Sequence, residues 1–253
     1  MIRRVGFAVA ALLIVASLVF WFTLPDVRPL RTSWPKTTAF MERRRAELAR
    51  TGEPTRLEWL PVPLARISPN LQHAVVAAED ARFYEHEGID WDALRSAVEK
   101  DWEKRRFAAG ASTITQQLAK NLYLSPTRTP WRKLKEWAIA RRLEKALSKG
   151  RILELYLNVV EFGRRTYGAE AAARRYFGRP AASLTPHEAA VLAAVIASPR
   201  IYDPVRHASR VERRARRILR WMRAVEPVPP GAPGPTPTLA TTRQPTTVPS
   251  QGE

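Results

Sequence analysis

The chain has 253 residues and no cysteine, with 42 Lys and Arg against 24 Asp and Glu for a formal charge of +18. Its 45% of hydrophobic residues is enough for a packed core, while disulfides and thiolate metal sites are excluded. So large a positive charge points to an anionic partner: nucleic acid, phospholipid headgroups or a phosphorylated substrate.

Residues 5–24, VGFAVAALLIVASLVFWFTL, carry no charge. About 20 residues at 1.5 Å each cross a hydrocarbon core of roughly 30 Å. Arg3 and Arg4 precede the run, and Trp21 and Phe22 lie near its far end, where interfacial aromatics sit. A cleaved signal peptide is the alternative, with an apolar region of about 7–15 residues ending at a small-x-small site. This run is longer and ends in bulky residues, so it is expected to be an uncleaved transmembrane anchor behind a cytoplasmic head, residues 1–4. Arg28, Arg31 and Lys36 follow it closely, so the positive-inside count does not by itself decide orientation.

A juxtamembrane segment, 25–64, mixes Pro, Arg and Trp and contains a helical stretch, TTAFMERRRAELARTG, ending at Gly52. Residues 65–226 then read as one mostly helical domain. Asp90 caps WDALRSAVEKDWEKRR, with Trp91, Leu94, Val98 and Trp102 on one stripe. ASTITQQLAKNLYL sets Ile114, Leu118 and Leu122 at four-residue steps. Ile152, Leu155, Tyr156 and Val159 have the spacing of a buried helix face. Thr185, Pro186 and Glu188 form a capping box for a helix closed off by Pro199. Val211, Ala215, Ile218, Leu219 and Met222 stripe a last, arginine-rich helix. Strand signals are few. Residues 227–253 are Pro/Thr-rich with little apolar bulk and are expected to be disordered.

Three stretches could carry chemistry. AAEDARFYEHEG, 77–88, holds Glu79, Asp80, Glu85 and Glu87. A carboxylate facing a cleft would have a raised pKa suited to base catalysis; a cap or salt-bridge partner is the ordinary alternative. Apolar HAVVAA leads directly into Glu79, which places it where a helix leaves the core, and His86 reads as a structural residue of its loop. In GASTITQQLAKN, 110–121, hydroxyls of Ser112, Thr113 and Thr115 lie near a helix N-terminus, a setting for an anion. Gln117 and Lys120 share a face there; a Ser-capped, solvated helix is the plain alternative. In WRKLKE, 131–136, Arg132 and Lys133 precede Glu136 on one helix, in the weaker order for a local ion pair. With Lys120 and Arg128 they could form a diphosphate pocket. No phosphate-binding loop or HExxH motif occurs, and His73, His86, His187 and His207 lack ligand spacing.

In order, these stretches resemble peptidoglycan glycosyltransferase family 51. EDARFYEHEG is similar to its ED-x2-F-x2-H-x-G motif, GASTITQQLAKN to GGSTITQQ-x3-N, RKLKE to RK-x2-E, ILELYLN to the fourth motif unchanged, and RARRILRWM to the weaker fifth. The match covers roughly residues 65–223, and Ala111 departs from the usual second Gly. The resemblance implies a lysozyme-like helical fold that polymerises lipid II by inverting glycosyl transfer and releases undecaprenyl diphosphate. It implies Glu79 as general base and Glu136 as a second catalytic carboxylate that orients cations or helps hold a divalent ion, Mg or Mn; no other cofactor is called for. Arg82, Ser112, Gln117, Lys120, Asn121, Arg128, Arg132 and Lys133 are the implied substrate residues. The partners are then lipid II, the lipid-linked glycan chain, the membrane and cell-wall synthesis proteins, with no nucleic acid. The location is the bacterial inner membrane, single-pass, with a periplasmic catalytic domain. No transpeptidase stretch follows, so a monofunctional enzyme is expected. A lytic muramidase, a membrane-tethered nucleic-acid binder and a scaffold with a dead site are the rival readings.

Overall fold

The computed structural model describes residues 2–104, 112–127 and 129–227, without the side chains of 2–6, 8–10, 12, 13 and 100–104. Gly110, Ala111, Arg128 and residues 228–253 of the expected tail lie outside the described residues. The described chain is mainly helical, as the periodicity predicts.

The helices begin where the sequence supplies a side-chain oxygen for free backbone N–H groups. Thr38 caps α2 (Ala39–Arg50) and Ser68 caps α3 (Pro69–Glu79). Thr113 caps α5 (Ile114–Tyr123), Thr129 caps α6 (Pro130–Ala146) and Ser148 caps α7 (Lys149–Val159). The Thr185–Glu188 capping box opens α9 (Pro186–Ile196). α8 (Ala169–Phe177) stops at Gly178 in the left-handed region. α10 (Ala208–Ala224) closes the described fold. α2 ends at Arg50, before Gly52, and α9 ends short of Pro199.

From Ala189 to Ile196 every residue of α9 is buried, as expected of a helix apolar all round. It packs between α3 and α10, while α5 packs on α6 and α7. Ile152, Leu155, Tyr156 and Val159 of α7 are 1% exposed or less, and Val211, Ala215 and Ile218 of α10 are buried. A small sheet of β1 (Glu58–Trp59), β2 (Glu161–Gly163) and β3 (Thr166–Tyr167) has the order β1-β3-β2, with β1 parallel and β2 antiparallel to β3. Asn158 joins the segment before α3 to α7: its Oδ1 accepts from Val62 N at 2.8 Å, and its Nδ2 donates to Val62 O at 2.9 Å.

α4 (Trp91–Lys104) departs from the expected stripe. Asp90 caps it, accepting from Ala93 N at 2.9 Å. Two of its apolar positions are not covered, however: Trp91 is 62% and Val98 59% exposed, while Leu94 is half-buried. Periodicity identifies an amphipathic helix without specifying what lies against it. Trp102 is outside the described side chains.

α1 (Ile2–Phe22) covers most of the charge-free run. Among the described residues no helix is long and apolar enough to cross a membrane; several α1 side chains are not described, so the anchor reading rests on sequence. The end of α1 is held by α6. Arg142 donates to Trp21 O at 3.0 Å and Leu24 O at 3.1 Å, and Phe20 meets Trp131 with ring centroids 5.1 Å apart.

Candidate active site

The apolar residues Leu71, Ala74, Val75, Val76 and Ala77 bury α3 in the core, and Glu79 is its last residue. The helix therefore delivers this carboxylate to the edge of a cleft of about 470 Å³, lined also by Asp80, Arg82, Ser112, Trp221 and Val225. The Glu79 side chain is only 12% exposed. Gln117 Nε2 donates to its Oε2 at 2.9 Å, and an Arg214 nitrogen lies 3.9 Å from its Oε1. Burial pushes the Glu79 pKa above the usual carboxylate range; the Gln117 hydrogen bond, Arg214 and Lys120 pull against it without cancelling it. A buried base with a raised pKa beside an open cleft is suited to accept a proton from a bound hydroxyl.

Asp80 has a different task. Its Oδ2 accepts from Ile114 N at 2.9 Å and its Oδ1 bonds to His86 Nε2 at 2.9 Å. The N-terminus of α5, expected to receive a substrate anion, thus already holds the protein's own carboxylate. Of the three hydroxyls near it, Thr113 caps the helix and donates to Gly88 O, and Thr115 donates to Glu144. Ser112 is the one joined to the cation set, accepting from Lys133 at 3.3 Å. His86 is structural, as its loop position suggests.

The cation set centres on Glu136, which is 3% exposed. Arg132 Nη1 lies 2.5 Å from one carboxylate oxygen and Lys133 Nζ 2.5 Å from the other. Lys133 also donates to Gln116 Oε1 at 3.0 Å. Burial lowers the Lys120 pKa; Glu136 and Glu79 raise it again, while Arg132 and Lys133 lower it. Lys120 therefore links the two carboxylates electrostatically. The Nε atoms of Arg132 and Arg214 are buried with no partner among the described residues, and a bound anion would satisfy such donors.

Both Glu136 oxygens are engaged by cations, and among the described residues no group of three or more His, Asp or Glu is placed to hold a metal. The residues present do not fit a divalent ion.

Glu79, Arg82 and Ser112 line the cleft. Gln117 joins it through its bond to Glu79 and Lys133 through its bond to Ser112; Glu136 pairs with Arg132 and Lys133, and Lys120 is coupled by charge to both carboxylates. Asn121 is buried on α5. Arg82, at the rim, is tied to Glu85 and Asp92, each at 2.9 Å. Arg214 is not among the site residues that the sequence analysis names, although it opens RARRILRWM, the stretch similar to the fifth motif.

A family model described as Transglycosylase matches residues 45–223. The chain is similar to proteins named biosynthetic peptidoglycan transglycosylase from several bacteria. It is 44% identical to the one from Laribacter hongkongensis, covering 89% of this chain and 99% of that one. It is 45% identical to that of Chromobacterium violaceum, covering 88% and 98%. It is 50% identical to that of Nitrosospira multiformis, covering 73% and 80%. A helical chain whose buried glutamate borders a cleft and a cation set, matched by this model over most of its length, belongs to the transglycosylase family.

Proposed function

We propose that this chain polymerises peptidoglycan glycan strands from lipid II. The acceptor sugar hydroxyl attacks the donor anomeric carbon as Glu79 takes its proton. The donor is the lipid-linked glycan, and undecaprenyl diphosphate leaves with inversion in one displacement, so no covalent enzyme intermediate is needed. Lys120, Arg132, Lys133 and Arg128 neutralise the departing diphosphate, and Glu136 holds its cations in place. Arg82, Ser112, Gln117 and Asn121 complete the substrate site. The observation that carries this reading is the buried Glu79 carboxylate at the cleft, flanked by Lys120 and Arg214. The family match and the names of the relatives support synthesis over the muramidase alternative.

The wider reading follows from the same chemistry. A lysozyme-like domain, residues 65–226, is carried on an anchor at 5–24 with a head at 1–4, a juxtamembrane segment at 25–64 and a tail at 227–253. It works at the outer face of a bacterial inner membrane, where its lipid-borne substrate lies. The charge-free run and the net charge of +18 support that placement.

Glu79→Gln keeps the shape and removes the proton acceptor. With purified lipid II in detergent or vesicles, polymer formation should fall at least about 10²-fold with the fold retained. Glu79 must be ionised to act, so the wild-type rate is full above its raised pKa and lost as pH falls through it. That acid limb lies above the range of an exposed glutamate. Polymerisation by the variant at more than about a tenth of the wild-type rate would falsify the assignment.

A further inference from the structure

Tyr156 is fully buried on α7, in the middle of the core, and its hydroxyl is turned towards the catalytic side. It donates to Gln117 Oε1 at 2.9 Å. The other end of the same amide, Gln117 Nε2, donates to Glu79 Oε2 at 2.9 Å. Three residues from three helices thus form one chain of hydrogen bonds ending on the carboxylate.

The direction of that chain is set by chemistry. A primary amide has one accepting end and one donating end. Tyr156 keeps its proton, because burial and the nearby acids Glu79 and Asp80 all oppose the phenolate. A hydroxyl that must place its proton selects the amide oxygen, which leaves the N–H end for Glu79. With the amide reversed, its oxygen would face an ionised carboxylate and the Tyr156 proton would lose its acceptor. We infer that Tyr156 is a positioning residue for Glu79: its hydroxyl locks the Gln117 amide so that an N–H, not a C=O, meets the carboxylate. The inference rests on Glu79 being the base of the proposed reaction.

Tyr156→Phe keeps the ring and deletes only the lock. The freed amide can reverse, accept from protonated Glu79, and so favour the protonated form. The groups facing Glu79 from its surroundings are Arg214 on α10, Lys120 on α5 and the adjacent Asp80. None is altered in the variant, so a shift in Glu79 titration reports on the amide.

The test is a ¹³C NMR titration of glutamate carboxyls in the full chain in nanodiscs, with the Glu79 signal identified by its loss in Glu79→Gln. Tyr156→Phe should raise the Glu79 midpoint by about one pH unit, the scale expected when a hydrogen bond to the charged form is lost. In a Gln117→Leu background the same change should move it little. A midpoint unmoved by Tyr156→Phe, or moved equally in both backgrounds, overturns the inference. If Tyr156→Phe does not fold, the wild type serves instead, with the Gln117 side-chain amide protons followed by ¹H–¹⁵N NMR. A lock keeps one amide proton in the bond to Glu79, so its signal should move downfield as Glu79 ionises; amide protons that do not respond to the Glu79 titration overturn the inference. Lipid II turnover is followed in parallel, and its acid limb should move with the midpoint. A shifted midpoint, together with a wild-type chain that makes no polymer, upholds the lock and refutes the proposed function. Polymer formation with an unmoved midpoint refutes only the lock.

Discussion

Replacing Glu136 by Gln separates a carboxylate that organises cations from one whose presence is incidental. Glu136 is 3% exposed and holds Arg132 and Lys133 at 2.5 Å each. Removing one partner of a buried ion pair costs about 3–5 kcal/mol. Here the cations keep some water, with side chains 16% and 34% exposed, and glutamine still offers one acceptor. The expected loss is therefore nearer about 2 kcal/mol, a melting shift of roughly 4–8 °C in a domain of this size. The functional effect runs through Lys120. Burial lowers its pKa, and Glu136 is the foremost charge opposing that fall. Without Glu136 the Lys120 pKa drops further, so its positive charge is lost at lower pH and the alkaline limb of turnover moves down. Urea unfolding near neutral pH gives the stability, and a pH–rate profile with lipid II gives the limb. A stability change below about 0.5 kcal/mol together with an unmoved alkaline limb would refute the reasoning.

Two further changes probe the scaffold behind the site. Asn158 is fully buried and makes a third bond, to Glu154 O at 2.7 Å, besides its pair with Val62; Asn158→Ala should cost about 3 kcal/mol in urea unfolding, since it strands buried backbone groups, and a loss under about 1 kcal/mol would count against that account. Gly168 has φ 81, and an added Cβ would lie 2.7 Å from Asn158 O, which already accepts from Trp59 Nε1; Gly168→Ala should destabilise by more than about 2 kcal/mol, and unchanged melting would show that this turn can yield.

What the sequence made legible is what depends on neighbours within a few positions. Thr185 and Glu188 lie three apart, so their capping box could be read directly. The same holds for Asp90 as a cap and for Arg132, Lys133 and Glu136 on one helix. The site itself needed contacts between distant segments. Gln117 reaches Glu79 across 38 positions and Tyr156 reaches Gln117 across 39. Tyr156 read as core, and it is core; its hydroxyl gives no periodic signal. The sequence assigns Asp80 no role of its own, because nothing local shows that α5 will begin beside it. The α4 stripe shows the converse failure: the pattern was correct, but burial depends on what is packed against it.

The grip of Arg142 on the end of α1 has a mechanical consequence. Arg142 and Arg132 stand on the same helix, ten residues apart, about 15 Å along its axis. Trp131, beside Arg132, meets Phe20 as well, so both ends of α6 are braced against the last turn of α1. Under the proposed anchoring, the helix that carries the cations rests at the bilayer boundary like a beam on two supports. The seating of the site is set by that rigid joint and not by the slack of a tether. Lengthening the segment after α1 would leave it unchanged while both supports held, and losing them would turn a mount into a leash.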